Sequence, residues 1–152
     1  MPYTESSYEN AIIQLFEEMG YTHVYAPNLE RDYKVPLYTD KLTAALYRLN
    51  PSLPDDAISD ALYKLTNYEN GELVQKNAVF MDYLQNGVEV RYTEKGEERS
   101  ALCYLVDYSN IDNNSFVVAN QWTYIENSEK RPDVLLFING LPVVLMELKS
   151  PS

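Results

Sequence analysis

A single cysteine, Cys103, and a single histidine, His23, are all that the chain holds of the side chains on which zinc sites and thiol catalysis depend. One cysteine closes no internal disulfide, and inside the apolar run Ala101–Val106 it reads as a small packed hydrophobe. His23 has no cysteine or second histidine at ligand spacing, which argues against zinc and for a surface or strand-edge position. No Gly-x-x-x-x-Gly-Lys-Ser/Thr phosphate loop and no Gly-x-Ser-x-Gly elbow occurs, so this chain is not itself an ATPase or a serine hydrolase of those types. No run approaches the roughly 20 apolar residues of a membrane span. Residues Met1–Glu5 lack the basic and apolar regions of a signal peptide. The expected location is a reducing cytoplasm, with no membrane partner.

Basic residues are also scarce: 12 Lys and Arg stand against 23 Asp and Glu, a formal charge of −11. Nucleic-acid binding draws much of its affinity from Lys and Arg on phosphates. A chain this acidic would not grip nucleic acid strongly alone, and most of the grip would come from elsewhere. Hydrophobic residues make up 45% of the 152 positions, which excludes wholesale disorder and allows one domain with a real core.

Helical signals fill the first half. Tyr3–Met19 forms one helix, capped by Ser6 or Ser7, with Ile12, Leu15, Phe16 and Met19 as its apolar face and Gly20 at its end. A short strand is expected at Thr22–Ala26, and a loop at Asn28–Thr39. Arg31 and Lys34 in that loop could touch a phosphate, but the better reading is a solvated loop. Asp40–Leu49 and a helix opened by Pro54, Asp55 and Asp56 follow, with Leu42, Leu46, Leu49, Ile58, Leu62 and Leu65 inward. Asn70-Gly71 ends that region, and Asn77–Gln85 is a further helix. Tyr47, Tyr63, Tyr68 and Tyr83 read as core or rim. From Val88 the pattern changes to strands: Val88–Thr93, Ser100–Asp107 and Ser115–Ile125, with Glu94–Glu98 as a polar link and Phe116, Val118 and Trp122 inward. Helices followed by consecutive strands indicate an α+β or mixed α/β fold, a central mixed sheet flanked by helices.

The last two strands carry the chemistry. Apolar runs Val134–Ile138 and Val143–Met146 flank Asn139-Gly140, a hairpin signal because both residues tolerate positive φ. Asp133 precedes the first run, and Glu147, Leu148 and Lys149 close the second. Charges at the end of a buried strand are solvated, paired or bound to a metal. Two converging carboxylates repel each other, and Mg²⁺, which takes oxygen ligands and usually one or two carboxylates, removes the repulsion. Lys149 lies two residues after Glu147 and so shares its face on a strand. There it orients an attacking water and stabilises charge developing on a phosphate. Parity sets a condition. With a strict two-residue turn, Asp133 and Glu147 lie on opposite faces of the ribbon, so an odd loop or a bulge is expected.

The string from Arg131-Pro-Asp-Val through Asn139-Gly-Leu-Pro to Met146-Glu-Leu-Lys-Ser resembles the N-terminal nuclease domain of the R (restriction, motor) subunit of type I restriction enzymes. Gln121-Trp-Thr, upstream, is similar to the segment those proteins carry before the motif. Pro132-Asp133 and Glu147-Leu-Lys149 match the PD-(D/E)xK nuclease pattern. The resemblance implies a restriction-endonuclease-like core and Mg²⁺-dependent cleavage of double-stranded DNA. Asp133, Glu147 and the main-chain carbonyl of Leu148 would ligate the metal, and Lys149 would position water. The family's first-helix glutamate, which reaches the metal site, matches Glu9; by position alone Glu9 is equally a first-turn glutamate favoured by the helix dipole. Implied partners are double-stranded DNA and the modification and specificity subunits, with ATP used only in a motor region outside this chain. The family's Gln-x-x-x-Tyr helix after the Glu-x-Lys strand is not present, so residues 1–152 are expected to be one nuclease-like domain at the start of a longer chain. Two alternatives stand beside this one: another PD-(D/E)xK repair or junction nuclease, and a non-enzymatic acidic module or DNA mimic with its acidic residues spread over the surface.

Overall fold

A computed structural model describes residues 4–67, 73–125 and 128–149. They group into two compact units, Met1–Tyr38 with Ser115–Ser152, and Thr39–Asn114. The fold is α+β, with four α-helices, one mixed four-stranded sheet and two small two-stranded sheets among the described residues.

The first unit is built on that mixed sheet. Its strands are β1 (Thr22–Tyr25), β4 (Phe116–Asn120), β7 (Val134–Ile138) and β8 (Leu141–Met146), lying side by side in the order β1-β4-β7-β8. β1 runs parallel to β4, and the other two pairings are antiparallel. Alternation along the strands sends side chains to two faces. Val118, Val134 and Leu136 face helix α1 (Glu5–Glu18), where they bury Ile13 and pack with Ile12, Phe16, Tyr21, Met146 and Leu148. Val117, Ala119, Leu135 and Phe137 share the opposite core with Ala26 and Trp122, and Val24, Leu29, Tyr38 and Tyr124 pack against it. Trp122 and Phe137 are its largest fully buried side chains, with ring centroids 4.7 Å apart.

Helix α1 departs from the expected pattern at both its cap and its face. Thr4 is the N-cap, its hydroxyl accepting from the Ser7 N–H at 3.2 Å, so the cap lies ahead of Ser6 and Ser7. The buried residue is Ile13, while Leu15 and Met19 are exposed. The inward stripe is Ile12, Ile13 and Phe16, one position round from the expected one, because the helix lies on the sheet along that line. The C-terminus does end at Gly20, at φ +100°. The Gly20 N–H donates to Glu17 O and the Tyr21 N–H to Phe16 O, the Schellman pattern that needs a left-handed residue there.

β4 stops at Asn120, short of the single strand expected through Ile125. Gln121 takes φ +59° and turns the chain out of the ladder. Tyr124–Ile125 (β5) then pairs with Glu129–Lys130 (β6) in a separate ribbon. β7 is buried as expected. β8 is an edge strand whose Val143, Val144 and Leu145 are exposed, so its apolar run is not doubly buried.

The second unit holds α2 (Thr39–Leu49), α3 (Asp55–Thr66), α4 (Leu73–Asn86) and the hairpin β2 (Val88–Glu94) and β3 (Glu97–Cys103). Leu42, Ala45, Leu46, Ala57, Ile58, Ala61, Leu65, Val88, Val90, Cys103 and Leu105 are its buried apolar residues. The hairpin closes through Lys95-Gly96, a tighter turn than the five-residue link expected, so β3 begins at Glu97 and ends at Cys103. Burial raises the Cys103 thiol to about 11. Asn50 joins the end of α2 to the chain after β3. Its Nδ2 donates to Leu46 O and Tyr104 O, both at 2.9 Å, and its Oδ1 accepts from the Tyr104 N–H at 2.8 Å. Tyr47 and Tyr63 are exposed, and Tyr68 and the Asn70-Gly71 break lie outside the described residues.

Candidate functional site

The register of β7 and β8 decides whether the terminal carboxylates can meet. Ile138 pairs with Leu141 across a two-residue Asn139-Gly140 turn, both residues at positive φ. Phe137 then pairs with Pro142, but Leu136 pairs with Val144, leaving Val143 as an extra residue. That bulge shifts the rest of β8 by one, so Leu135 faces Leu145 and Val134 faces Met146. Continued one step past the ladder, this register would set Glu147 opposite Asp133. A bulge is the device expected if the two residues share a face, and Pro142, which has no N–H for the ladder, sits beside it.

Three further contacts link Asp133, Leu148, Gln121 and Glu9. The Leu148 N–H donates to Asp133 Oδ2 at 2.7 Å, a charge-assisted bond that fixes the half-buried carboxylate against the chain following β8. The Gln121 N–H donates to Asp133 O at 3.2 Å. The Gln121 side chain donates through Nε2 to Glu9 Oε1 at 2.7 Å, reaching from the end of β4 to helix α1. Glu9 is thus linked through one residue to Asp133, and it borders the stripe of Ile12 and Ile13 that α1 lays on the sheet. Glu147 and Lys149 are both exposed, and among the described residues Lys149 makes no ion pair.

His23 lies exposed on the edge strand β1, as expected, its Nε2 2.8 Å from Asn120 Oδ1. Among the described residues no three of Asp, Glu, His and Cys are grouped so as to hold a metal ion between them. Glu9, held by Gln121, is therefore not drawn into one acidic cluster with Asp133 and Glu147. The donor chemistry of the remaining set is all oxygen, two carboxylates and a carbonyl, which suits a hard cation that keeps several waters. Gln121 is the residue that reasoning from residue type did not single out. It entered only as part of a resembling segment, and its positive φ and its reach to Glu9 carry no local sequence signal.

A family model for the type I restriction enzyme R protein N terminus matches residues 2–152. The chain is 33% identical over 95% of its length to the provisionally named type I restriction enzyme MjaIXP endonuclease subunit of Methanocaldococcus jannaschii. It is 32% identical over 97% of its length to the type I restriction enzyme HindI endonuclease subunit of Haemophilus influenzae. The chain spans 15% of the length of each of these relatives.

Proposed function

The chain belongs to the family of type I restriction enzyme R protein N termini, and from that premise we propose that it is the nuclease part of such a subunit, cleaving double-stranded DNA with Mg²⁺. The observation that carries the reading is the β8 bulge at Val143, which gives β8 a register that, continued one step past its last pair, would set Glu147 opposite Asp133. Asp133 and Glu147, with the carbonyl of Leu148, would hold the metal, matching the PD-(D/E)xK pattern. The bound ion would supply a Lewis acid for the phosphate and its attacking water. Asp133 is held in place by the Leu148 N–H. Lys149, two residues beyond Glu147, orients water and stabilises charge developing on the phosphate. Glu9 sets the position of Gln121, and through it the end of β4 beside Asp133.

In the complete subunit the substrate is DNA brought by an ATP-driven motor region, in complex with modification and specificity subunits. The acidic balance of this chain fits that division, since other parts would supply most of the phosphate contacts. Lys149→Ala in the complete subunit tests the assignment. Plasmid cleavage is lost while ATP hydrolysis and translocation persist, and cleavage at the parent's rate would refute the role given to Lys149.

A further inference from the structure

Arg31 is not a solvated loop residue. Its guanidinium carbon lies 3.8 Å from the centroid of the Trp122 ring and 4.7 Å from that of Tyr33, between two aromatic faces. Its Nη2 donates to Thr123 O. Its Nε and Nη1 are buried, with no hydrogen-bond partner among the described residues. Burial lowers the Arg31 pKa, partly offset by Tyr33, but arginine starts so high that the charge persists. Two aromatic faces supply cation–π attraction. They supply no counter-charge, and among the described residues Arg31 makes no ion pair.

Arg31 lines a cavity of about 310 Å³. Arg131, exposed and also without an ion pair among the described residues, lines the same cavity, as do Gln121, Thr123, Tyr33 and the carboxylate-bearing Glu129. Two arginines and one glutamate leave the walls with net positive charge in a chain of net charge −11. Gln121 connects the cavity to the acidic residues, because the same side chain donates to Glu9 and its N–H donates to Asp133 O. The cavity thus shares Gln121 with the candidate site, and Arg131 in its wall is two residues from Asp133.

We propose that this cavity, between Arg31 and Arg131, binds a backbone phosphate of the DNA strand next to the one being cleaved. Exposed Arg131 offers a planar fork that suits a phosphate, and the stack on Trp122 and Tyr33 holds the uncompensated Arg31 charge in the cavity wall. A phosphate there fixes the strand's register against Asp133 and Glu147 without touching the reacting atoms, so both arginines are positioning residues. The inference rests on the nuclease reading for the identity of its ligand.

The test uses the complete R subunit assembled with its modification and specificity subunits, with Arg131→Ala and Arg31→Lys variants. Arg131 is exposed, so its substitution leaves the core alone, while Arg31→Lys keeps the charge and removes the fork. Binding of a fluorescent duplex is followed by anisotropy across a salt series, plasmid cleavage is followed in parallel, and inorganic phosphate is titrated by calorimetry. Arg131→Ala is expected to reduce the slope of log K against log salt by about one, for one lost phosphate contact. Both variants are expected to raise KM for cleavage with kcat little changed. Unchanged slope and unchanged KM in both variants would overturn the proposal. So would phosphate binding that Arg131→Ala abolishes while the DNA slope stays the same, since the ligand would then be a free phosphate. A parent complex that binds DNA but does not cleave it with ATP and Mg²⁺ present refutes the nuclease reading instead, and the slope alone then decides whether the cavity holds a DNA phosphate.

Discussion

Asn139 and Ser115 grip each other twice: the Asn139 N–H donates to Ser115 O and Asn139 Oδ1 accepts from the Ser115 N–H, both at 2.8 Å. The neighbouring Gly140 O accepts from the Tyr38 N–H at 2.9 Å. Tyr38 and Ser115 are the two points at which the chain leaves the first unit and returns to it. One β-turn therefore anchors both ends of that excursion, and the same turn begins the hairpin that presents Asp133 and Glu147.

Asn139 is fully buried at φ +51°, so its replacement tests conformation and hydrogen bonding separately. Asn139→Gly keeps the backbone freedom and leaves the Ser115 N–H without its side-chain acceptor, costing about 1–3 kcal/mol. Asn139→Ala adds the strain of a left-handed alanine and destabilises further. Urea unfolding measures both, and equal stability of the parent and the two variants would contradict this role for the side chain.

Asn50 makes the comparable link in the second unit, with three hydrogen bonds to Leu46 and Tyr104. Asn50→Leu removes the side-chain partners of the Tyr104 N–H and C=O at a part-buried position and costs about 1 kcal/mol or more. Amide hydrogen exchange at Tyr104 is the direct readout, and it should accelerate in the variant.

Cys103 is fully buried and its thiol is raised to about 11. At pH 8 only about a thousandth of it is thiolate, the nucleophilic form. Iodoacetamide should therefore leave Cys103 unmodified in the native protein and label it after denaturation, as read by peptide mass spectrometry. Rapid native labelling at pH 8 would contradict the packing of β3.

The Asp107 carboxylate accepts from the Asn110 N–H, the Asn113 side chain and the Ser109 N–H, which hold its pKa below the usual value against a smaller effect of burial. A group depressed in the folded state contributes stability above its unfolded pKa, about 4, and loses it as pH falls through the lower folded value. Asp107→Asn should narrow the stability difference between neutral and acid pH in that window. An identical acid profile for parent and variant would show that the turn does not depend on the charge.

Much of this was legible in the residues. The terminal hairpin and its turn followed from Asn139-Gly140 between two apolar runs, and a bulge was expected if Asp133 and Glu147 were to share a face; β8 carries one at Val143. Gly20 ended the first helix because a Schellman cap requires a left-handed residue. Other features depended on tertiary contacts that periodicity does not encode. The α1 stripe turned to Ile13 where the helix met Val118 and Leu136. Gln121 broke β4 through a positive φ in a residue without that preference. Arg31 left solvent because Trp122, more than 90 residues away in sequence, supplied a face for it.

The central claim is that Asp133 and Glu147 together hold a divalent cation on which DNA cleavage depends. Calorimetric titration of Mg²⁺ or Mn²⁺ into the complete subunit and its Asp133→Ala and Glu147→Ala variants, with supercoiled-plasmid cleavage in parallel, tests it most directly. The account predicts that metal binding and cleavage are lost together in both variants. Metal binding and cleavage that both persist in either variant would contradict it.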